Sequence, residues 1–175
     1  MSKAVLASIR PVWCEKIASR RKSLEIRKNR PKLEPPFKVY IYCTKRKGFV
    51  TVNKNSEVCD CKVIGEFVCD RIFPIRIFNN GTIQDWNHYN MKDSCVPYDD
   101  IVKYIGNNQS GYGWHISDLV IYEKPKELTE FYKVGTLNAS DFEYQLYDGR
   151  RSYADYLFTR AMRKPPLSWC YVEVV

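Results

Sequence analysis

The residues best suited to chemistry lie in the segment 20–30, where several cations surround one carboxylate, that of Glu25. Arg27 can engage a phosphate or a base edge as a bidentate fork, and Lys22 can act as a point charge. A carboxylate held between such cations is expected to stay ionised, and it can accept a hydrogen bond from an exocyclic amine such as that of cytosine. The alternative is an internal ion pair with a purely structural role.

Hydrophobic alternation predicts the element that positions these groups. In residues 22–28, Leu24 and Ile26 alternate with Ser23, Glu25 and Arg27, which is typical of a half-buried strand with one polar face. Two further cations, Arg20 and Arg21, precede it. The helix before it is predicted to start at Pro11, a favourable first helical position, and to run through Ala18.

The charge is unevenly distributed along the chain. Residues 1–54 carry 15 Lys or Arg and three acids, whereas the remaining 121 residues carry 13 and 17, within a net charge of +8. Such a distribution produces a directed field and favours a polyanionic partner, although a solvated basic surface is the simpler alternative.

Further strands are predicted at Ala4–Ile9, Phe37–Cys43, 63–72, 113–122 and 168–175, with a turn at Pro125 and a helix at Tyr98–Ile105. Gly65 inside a strand indicates a bulge or a close backbone approach. Five or six strands with few helices and no βαβ alternation predict an α+β fold built on a small barrel. We expect one domain, residues 1–175, with an insertion at 134–163 that contains a helix near 153–162.

The cysteines do not follow the rhythm of a disulfide framework, and no secretory signal or membrane-spanning stretch is evident. The seven are Cys14, Cys43, Cys59, Cys61, Cys69, Cys95 and Cys170. A reducing cytoplasm with free thiols is therefore predicted, with no membrane association. Cys59 and Cys61 form the only tight pair and lack a second half-site, so neither a metal nor another cofactor is predicted.

Other residues could contact a ligand. Tyr42 and Lys45 end the strand Phe37–Cys43, and Trp114 could stack on a base or belong to the core. His115 could take part in chemistry or be a hydrogen-bonded structural residue.

Several sequence blocks together resemble the ASCH domain family of the PUA-like superfamily, in its longer bacterial and phage-encoded form. The first blocks are Ile9-Arg10-Pro11 with Trp13 and Ile17, then Lys22-x-x-Glu25-x-Arg27. The others are Tyr40-Ile41-Tyr42-Cys43-Thr44, Val63-Ile64-Gly65-Glu66-Phe67, Gly113-Trp114-His115-Ile116-Ser117 and Pro165-Pro166-x-Ser168-Trp169-Cys170-Tyr171. The resemblance covers roughly residues 3–130 and 164–174.

This resemblance implies a PUA-like pseudo-β-barrel of five to six strands with flanking short helices, and a cleft beside the first helix that would include Arg10 and Trp13. It also implies RNA-related roles, since some small members hydrolyse acetylated cytidine and others are reported to cut RNA. Two positions depart from the family pattern. Arg20 stands where the family usually has glycine, and Glu25 stands where the small amidohydrolases have their nucleophilic threonine.

Two classes of function follow. The favoured hypothesis is a non-catalytic module that binds RNA, DNA or a modified nucleotide, using the cations of residues 1–54 for phosphates and Glu25 for a base. The alternative is a hydrolase of a modified pyrimidine nucleoside or of RNA, with Lys22 and Glu25 as its acid–base groups. A third and weaker hypothesis is a protein partner bound through residues 134–163.

Overall fold

A computed structural model describes residues 3–45, 61–78, 82–85, 91–106, 110–135 and 152–174. The strands are β1 (Ala4–Ile9), β2 (Leu24–Arg27), β3 (Phe37–Cys43), β4 (Val63–Cys69), β5 (Ile72–Ile77), β6 (Ile83–Asp85), β7 (Ser110–His115), β8 (Ser117–Lys126), β9 (Phe131–Lys133) and β10 (Trp169–Val174). The α-helices are α1 (Pro11–Ala18), α2 (Tyr98–Ile105) and α3 (Tyr153–Arg160), and 3-10 turns occur at Met91–Ser94 and Leu128–Glu130. None of the helices in these ranges is long and apolar enough to cross a membrane.

The described strands form two sheets. A six-stranded sheet has the order β8-β4-β3-β1-β10-β9, and a four-stranded sheet has the order β2-β7-β5-β6. Strands β1 and β3 are parallel, and the other pairs are antiparallel. The α+β class is confirmed, but the predicted barrel of five to six strands is wrong, because the sheets are not closed into a barrel.

The six-stranded sheet is covered by apolar side chains on both faces. Along β1, Val5 and Ile9 join a core cluster with α1, whereas Leu6 joins a second cluster on the opposite face. A third cluster packs α2 on the four-stranded sheet, with Ile101 and other side chains. Burial on both faces explains why five of the six residues of β1, all except Ser8, are apolar and do not alternate with polar ones.

Most predicted elements are confirmed: β1, α1, β3, α2, α3 and β10 lie where the pattern placed them, within a residue or two at their ends. Gly65 combines both expected features. The strand register shifts beside it, and a Cβ atom at this position would overlap the carbonyl oxygen of Val120. The backbones of β4 and β8 therefore approach closely there because residue 65 has no side chain.

Two predicted strands have different bounds. The strand at 63–72 ends at Cys69, and Ile72 begins β5 in the other sheet. The strand at 113–122 is two strands, because the chain passes from the four-stranded to the six-stranded sheet at Ile116. The predicted turn at Pro125 is also wrong, since this residue lies within β8. Strand β8 forms an edge of its sheet, where proline is tolerated.

Candidate functional site

A cavity of about 730 Å³ opens where parts of the two sheets meet. One side is formed by the end of β1, the start of α1 and the segment before β10. These parts of the chain lie at the six-stranded sheet, which contains β1 and β10. The other side is formed by β2 of the four-stranded sheet and by α2, which packs on it. The predicted site residues that line the cavity are Arg10, Trp13, Lys22, Glu25 and Arg27.

The turn after α1 places Lys22 against the strand that follows it. Arg20 adopts a left-handed conformation with φ of 58°. Its N–H donates to the carbonyl of Ile17 at 2.8 Å, and the N–H of Arg21 donates to that of Lys16 at 2.9 Å. This is the hydrogen-bond pattern of a Schellman helix end, which favours glycine at the left-handed position. Arg20 therefore occupies a position that glycine would adopt without strain.

Lys22, Glu25 and Arg27 form a buried triad, which we call the floor of the cavity. Lys22 Nζ lies 3.2 Å from Glu25 Oε2, and Arg27 Nη2 lies 3.1 Å from Glu25 Oε1. The three side chains are only 1%, 8% and 5% exposed, respectively. The sequence predicted a strand with an exposed polar face, and this is wrong, since all four residues of β2 are buried. The alternation nevertheless puts Glu25 and Arg27 side by side as expected.

The ammonium group of Lys22 is fully engaged. Besides Glu25, it donates to the carbonyls of Leu24 at 2.7 Å and Ser94 at 2.8 Å. These three acceptors match its three N–H donors. To act as a general base, Lys22 would have to lose a proton and one of these hydrogen bonds, so its geometry gives no support to a catalytic role.

Arg27 connects the two sheets. Its Nη1 donates to the carbonyl of Ser168 at 3.1 Å and its Nη2 donates to that of Ser8 at 3.0 Å. Ser8 belongs to β1, and Ser168 directly precedes β10. The guanidinium also lies over the ring of Trp114, with 6.0 Å between Cζ and the ring centroid. Arg27 therefore stabilises the fold at the cavity as well as lining it.

Glu25 differs from both cations because its side chain bonds to no backbone group in the described part of the chain. Each of its oxygens has one cationic partner, whereas a carboxylate has about four acceptor positions. The unused positions can accept hydrogen bonds from a ligand that enters the cavity.

Two thiols lie in the core next to this triad. Cys14 and Cys43 are fully buried. Burial, followed by the neighbouring Cys43 thiol and the Glu25 carboxylate, raises the pKa of Cys14 well above its usual value. Cys14 is therefore a neutral core side chain and an unsuitable nucleophile.

Two aromatic residues predicted as ligand contacts lie away from the cavity. Trp114 is fully buried in the core, in edge-to-face contact with Phe37 and Trp169. Tyr42 faces the cluster on the opposite side of the six-stranded sheet. Burial, followed by the neighbouring Cys61 thiol, raises the pKa of Tyr42 to about 12. Both are core residues in this structure.

His115 also lies outside the cavity lining. Its Nδ1 is 2.5 Å from Oδ1 of Asp70. This matches one of the two alternatives left open by the sequence, a hydrogen-bonded structural histidine. Burial opposes ionisation of Asp70. The hydrogen bond and charge of His115, together with Arg71, outweigh burial and lower the pKa of Asp70.

The remaining predicted residues, Arg20, Arg21, Ser23 and Lys45, do not line the cavity either. The side chain of Arg20 donates to the carbonyl of Leu119 at 3.3 Å. Ser23 directly precedes β2.

The sequence did not single out several residues that line the cavity: Thr44, Lys28, Lys103, Tyr104, Leu167 and Ser168. Lys28 directly follows β2, and its Nζ lies 5.4 Å from the ring centroid of Tyr104 on α2. Lys28 was within the basic segment, but no local pattern indicates that α2 packs beside it.

Comparison with known proteins identifies the fold. No protein-family model matches the chain, and no curated protein sequence matches it. Among solved structures, the ASCH protein from Zymomonas mobilis is similar over 97% of this chain and 87% of its own, with a TM-score of 0.58 and 16% identity. Its tyrosine-to-phenylalanine and serine-to-alanine variants match at TM-scores of 0.59 and 0.58, also at 16% identity. The first match covers 98% of this chain and 91% of the other, and the second covers 97% and 88%. The chain therefore has the fold of ASCH domain proteins, as its motifs predicted.

Proposed function

We propose that the chain binds nucleic acid, RNA in the first instance, or a modified nucleotide, in the cavity between its sheets. The observation that carries the proposal is Glu25, a buried carboxylate with unused acceptor positions on the floor of a cavity with basic walls. A volume of about 730 Å³ is within the usual range for ligand sites. The structural likeness to ASCH proteins is compatible with this function. A cytoplasmic location, predicted from the cysteines, belongs to the same proposal.

The cavity lining has more positive than negative charge. Its cations are Arg10, Lys22, Arg27, Lys28 and Lys103, and its carboxylates are Glu25 and Asp100. Arg10, Lys28 and Lys103 are exposed, and we call them the rim cations. Because the buried cations are already paired and bonded to backbone carbonyls, the rim cations are the groups available for phosphates.

A base in the cavity would meet complementary groups. Glu25 can accept from an exocyclic amine, such as that of cytosine or adenine. Trp13 and Tyr104 lie in the lining, and stacking of a base on an aromatic ring contributes about 1–3 kcal/mol. The rim would provide affinity that depends on salt, and the floor would provide preference among bases.

The test is binding of fluorescent single-stranded RNA at a series of salt concentrations. Each phosphate contact contributes a log–log slope of about −0.7, so replacing Lys28 and Lys103 by alanine should lower affinity and flatten the slope by roughly 1.4. Lys124→Ala is the matched control, since Lys124 is exposed on β8 and does not line the cavity. Affinity that does not change with salt, or a double variant that behaves like Lys124→Ala, would overturn the proposal.

The other hypotheses gain no specific support. The hydrolase hypothesis uses Lys22 and Glu25 as acid–base groups, and of these two Lys22 is saturated with acceptors. The protein-partner hypothesis concerns residues 134–163, of which 136–151 lie outside the described residues. Incubation with acetylcytidine and with RNA tests the first, and deletion of 136–151 tests the second.

A further inference from the structure

Leu167 is a fully exposed apolar side chain in the lining of the cavity. Exposed leucines are common on protein surfaces and need no explanation when they stand alone. Leu167 is different because it lies beside a cavity with basic walls and because its backbone is held on both sides.

The segment that carries Leu167 is fixed to the cavity wall. On one side, the hydroxyl of Ser8 donates to the carbonyl of Pro166 at 2.6 Å. On the other, the carbonyl of Ser168 accepts from the N–H of Ser8 at 2.8 Å and from Arg27 Nη1 at 3.1 Å. Pro165 and Pro166 restrict φ in the preceding residues. Leu167 is therefore presented by a preorganised backbone, which lowers the entropy cost of using it in a contact.

A second exposed group is contributed from the other side of the cavity. Tyr104 on α2 is 39% exposed and also lines the cavity. It belongs to the helix that packs on the four-stranded sheet, whereas Leu167 precedes a strand of the six-stranded sheet. A ligand that enters between the sheets thus meets one apolar and one aromatic side chain from separate elements.

We propose that the ligand is a polynucleotide from which one base is unstacked into the cavity, and that Leu167 packs against the neighbouring base left outside. This inference rests on the proposed function. A base that reaches Glu25 must leave the stack of its neighbours, which costs a few kcal/mol. Apolar side chains, leucine included, offset this cost in other nucleic-acid-binding proteins by inserting between adjacent bases. A mononucleotide has no neighbouring base and gains nothing from Leu167.

The experiment compares two probes, cytidine monophosphate and a 12-nucleotide oligocytidylate with one central 2-aminopurine, whose fluorescence rises when it unstacks. Wild-type protein should bind the oligonucleotide with increased fluorescence. Leu167→Ala should bind the oligonucleotide about 10-fold more weakly and reduce the fluorescence increase, because burial of leucine is lost. It should leave binding of the mononucleotide unchanged. Val120→Ala, also exposed but on β8, is the control.

The outcomes separate this inference from the proposed function. If Leu167→Ala binds the oligonucleotide as wild type does, or weakens both probes equally, the role of Leu167 is refuted and the proposed function stands. Binding of the mononucleotide alone by wild type also refutes the inference only. If wild type binds neither probe nor any single-stranded RNA, the proposed function fails and this inference fails with it.

Discussion

Glu25→Gln is the substitution that best tests the triad on the cavity floor. It preserves the shape of the side chain and removes the negative charge that Lys22 and Arg27 share. Both cations would stay buried, and the glutamine amide would direct a donor toward one of them. We expect the variant to fold and to be substantially less stable than wild type.

The magnitude follows from the two distances. At 3.1 and 3.2 Å, with an effective dielectric constant of about 20, each attraction amounts to about 5 kcal/mol before desolvation is subtracted. Removing one member of a buried ion pair costs about 3–5 kcal/mol, because the remaining charge stays buried without compensation. Since glutamine keeps one oxygen as an acceptor, we expect a loss near the lower end, about 3 kcal/mol.

Urea denaturation measures this loss as the difference in free energy of unfolding, with the m-value as a check that the unfolded states are comparable. Glu34→Gln is the matched control. Glu34 lies 3.9 Å from Arg30 and its side chain is 81% exposed, so its loss should cost about 0.5 kcal/mol or less. A difference below about 1 kcal/mol for Glu25→Gln would refute the description of a buried, mutually compensating triad.

Two further predictions concern stability away from the floor. Arg20→Gly should raise the melting temperature by roughly 2 °C, because glycine adopts the left-handed conformation at residue 20 without strain. An unchanged or lower value would show that the side-chain hydrogen bond to Leu119 outweighs that strain. Burial opposes ionisation of Glu66, but hydrogen bonds from Lys38 and Tyr122 lower its pKa. Ionised Glu66 therefore stabilises the folded state above about pH 4.3, and this contribution is lost as the pH falls. Glu66→Gln should therefore melt roughly 2 °C lower than wild type at pH 7, and this difference should shrink as the pH falls through the lowered pKa of Glu66; a constant difference would contradict this.

The part of the site predicted from sequence is the part determined locally. Alternation over a few residues was sufficient to place Glu25 and Arg27 on one face of a strand. Pro11 marked the start of α1, as expected for a proline at the first helical position. Residues close in sequence have few ways to be arranged once their secondary structure is known, so these predictions succeeded.

The features that the sequence did not locate depended on which sheet, or which face, an apolar strand joins. Tyr42 lies on β3, a strand of the six-stranded sheet with apolar residues on both faces, so alternation could not indicate its side. The strand predicted at 113–122 likewise gave no sign that the chain changes sheets at Ile116. The contact between Arg27 and Ser168 joins residues 141 positions apart, and no local pattern signals it.

The three floor residues have separate roles. Lys22 and Arg27 satisfy backbone carbonyls in addition to their ion pairs, so their positions are explained by the fold alone. Among the described residues, Glu25 forms ion pairs only with those two cations, and a buried ion pair by itself is weak evidence for stabilisation. What a carboxylate provides here, and an apolar side chain cannot, is compensation of two cations together with unused acceptor positions in the cavity. If a base is read, its preference should therefore depend on Glu25, whereas the salt dependence of binding should depend on the rim cations.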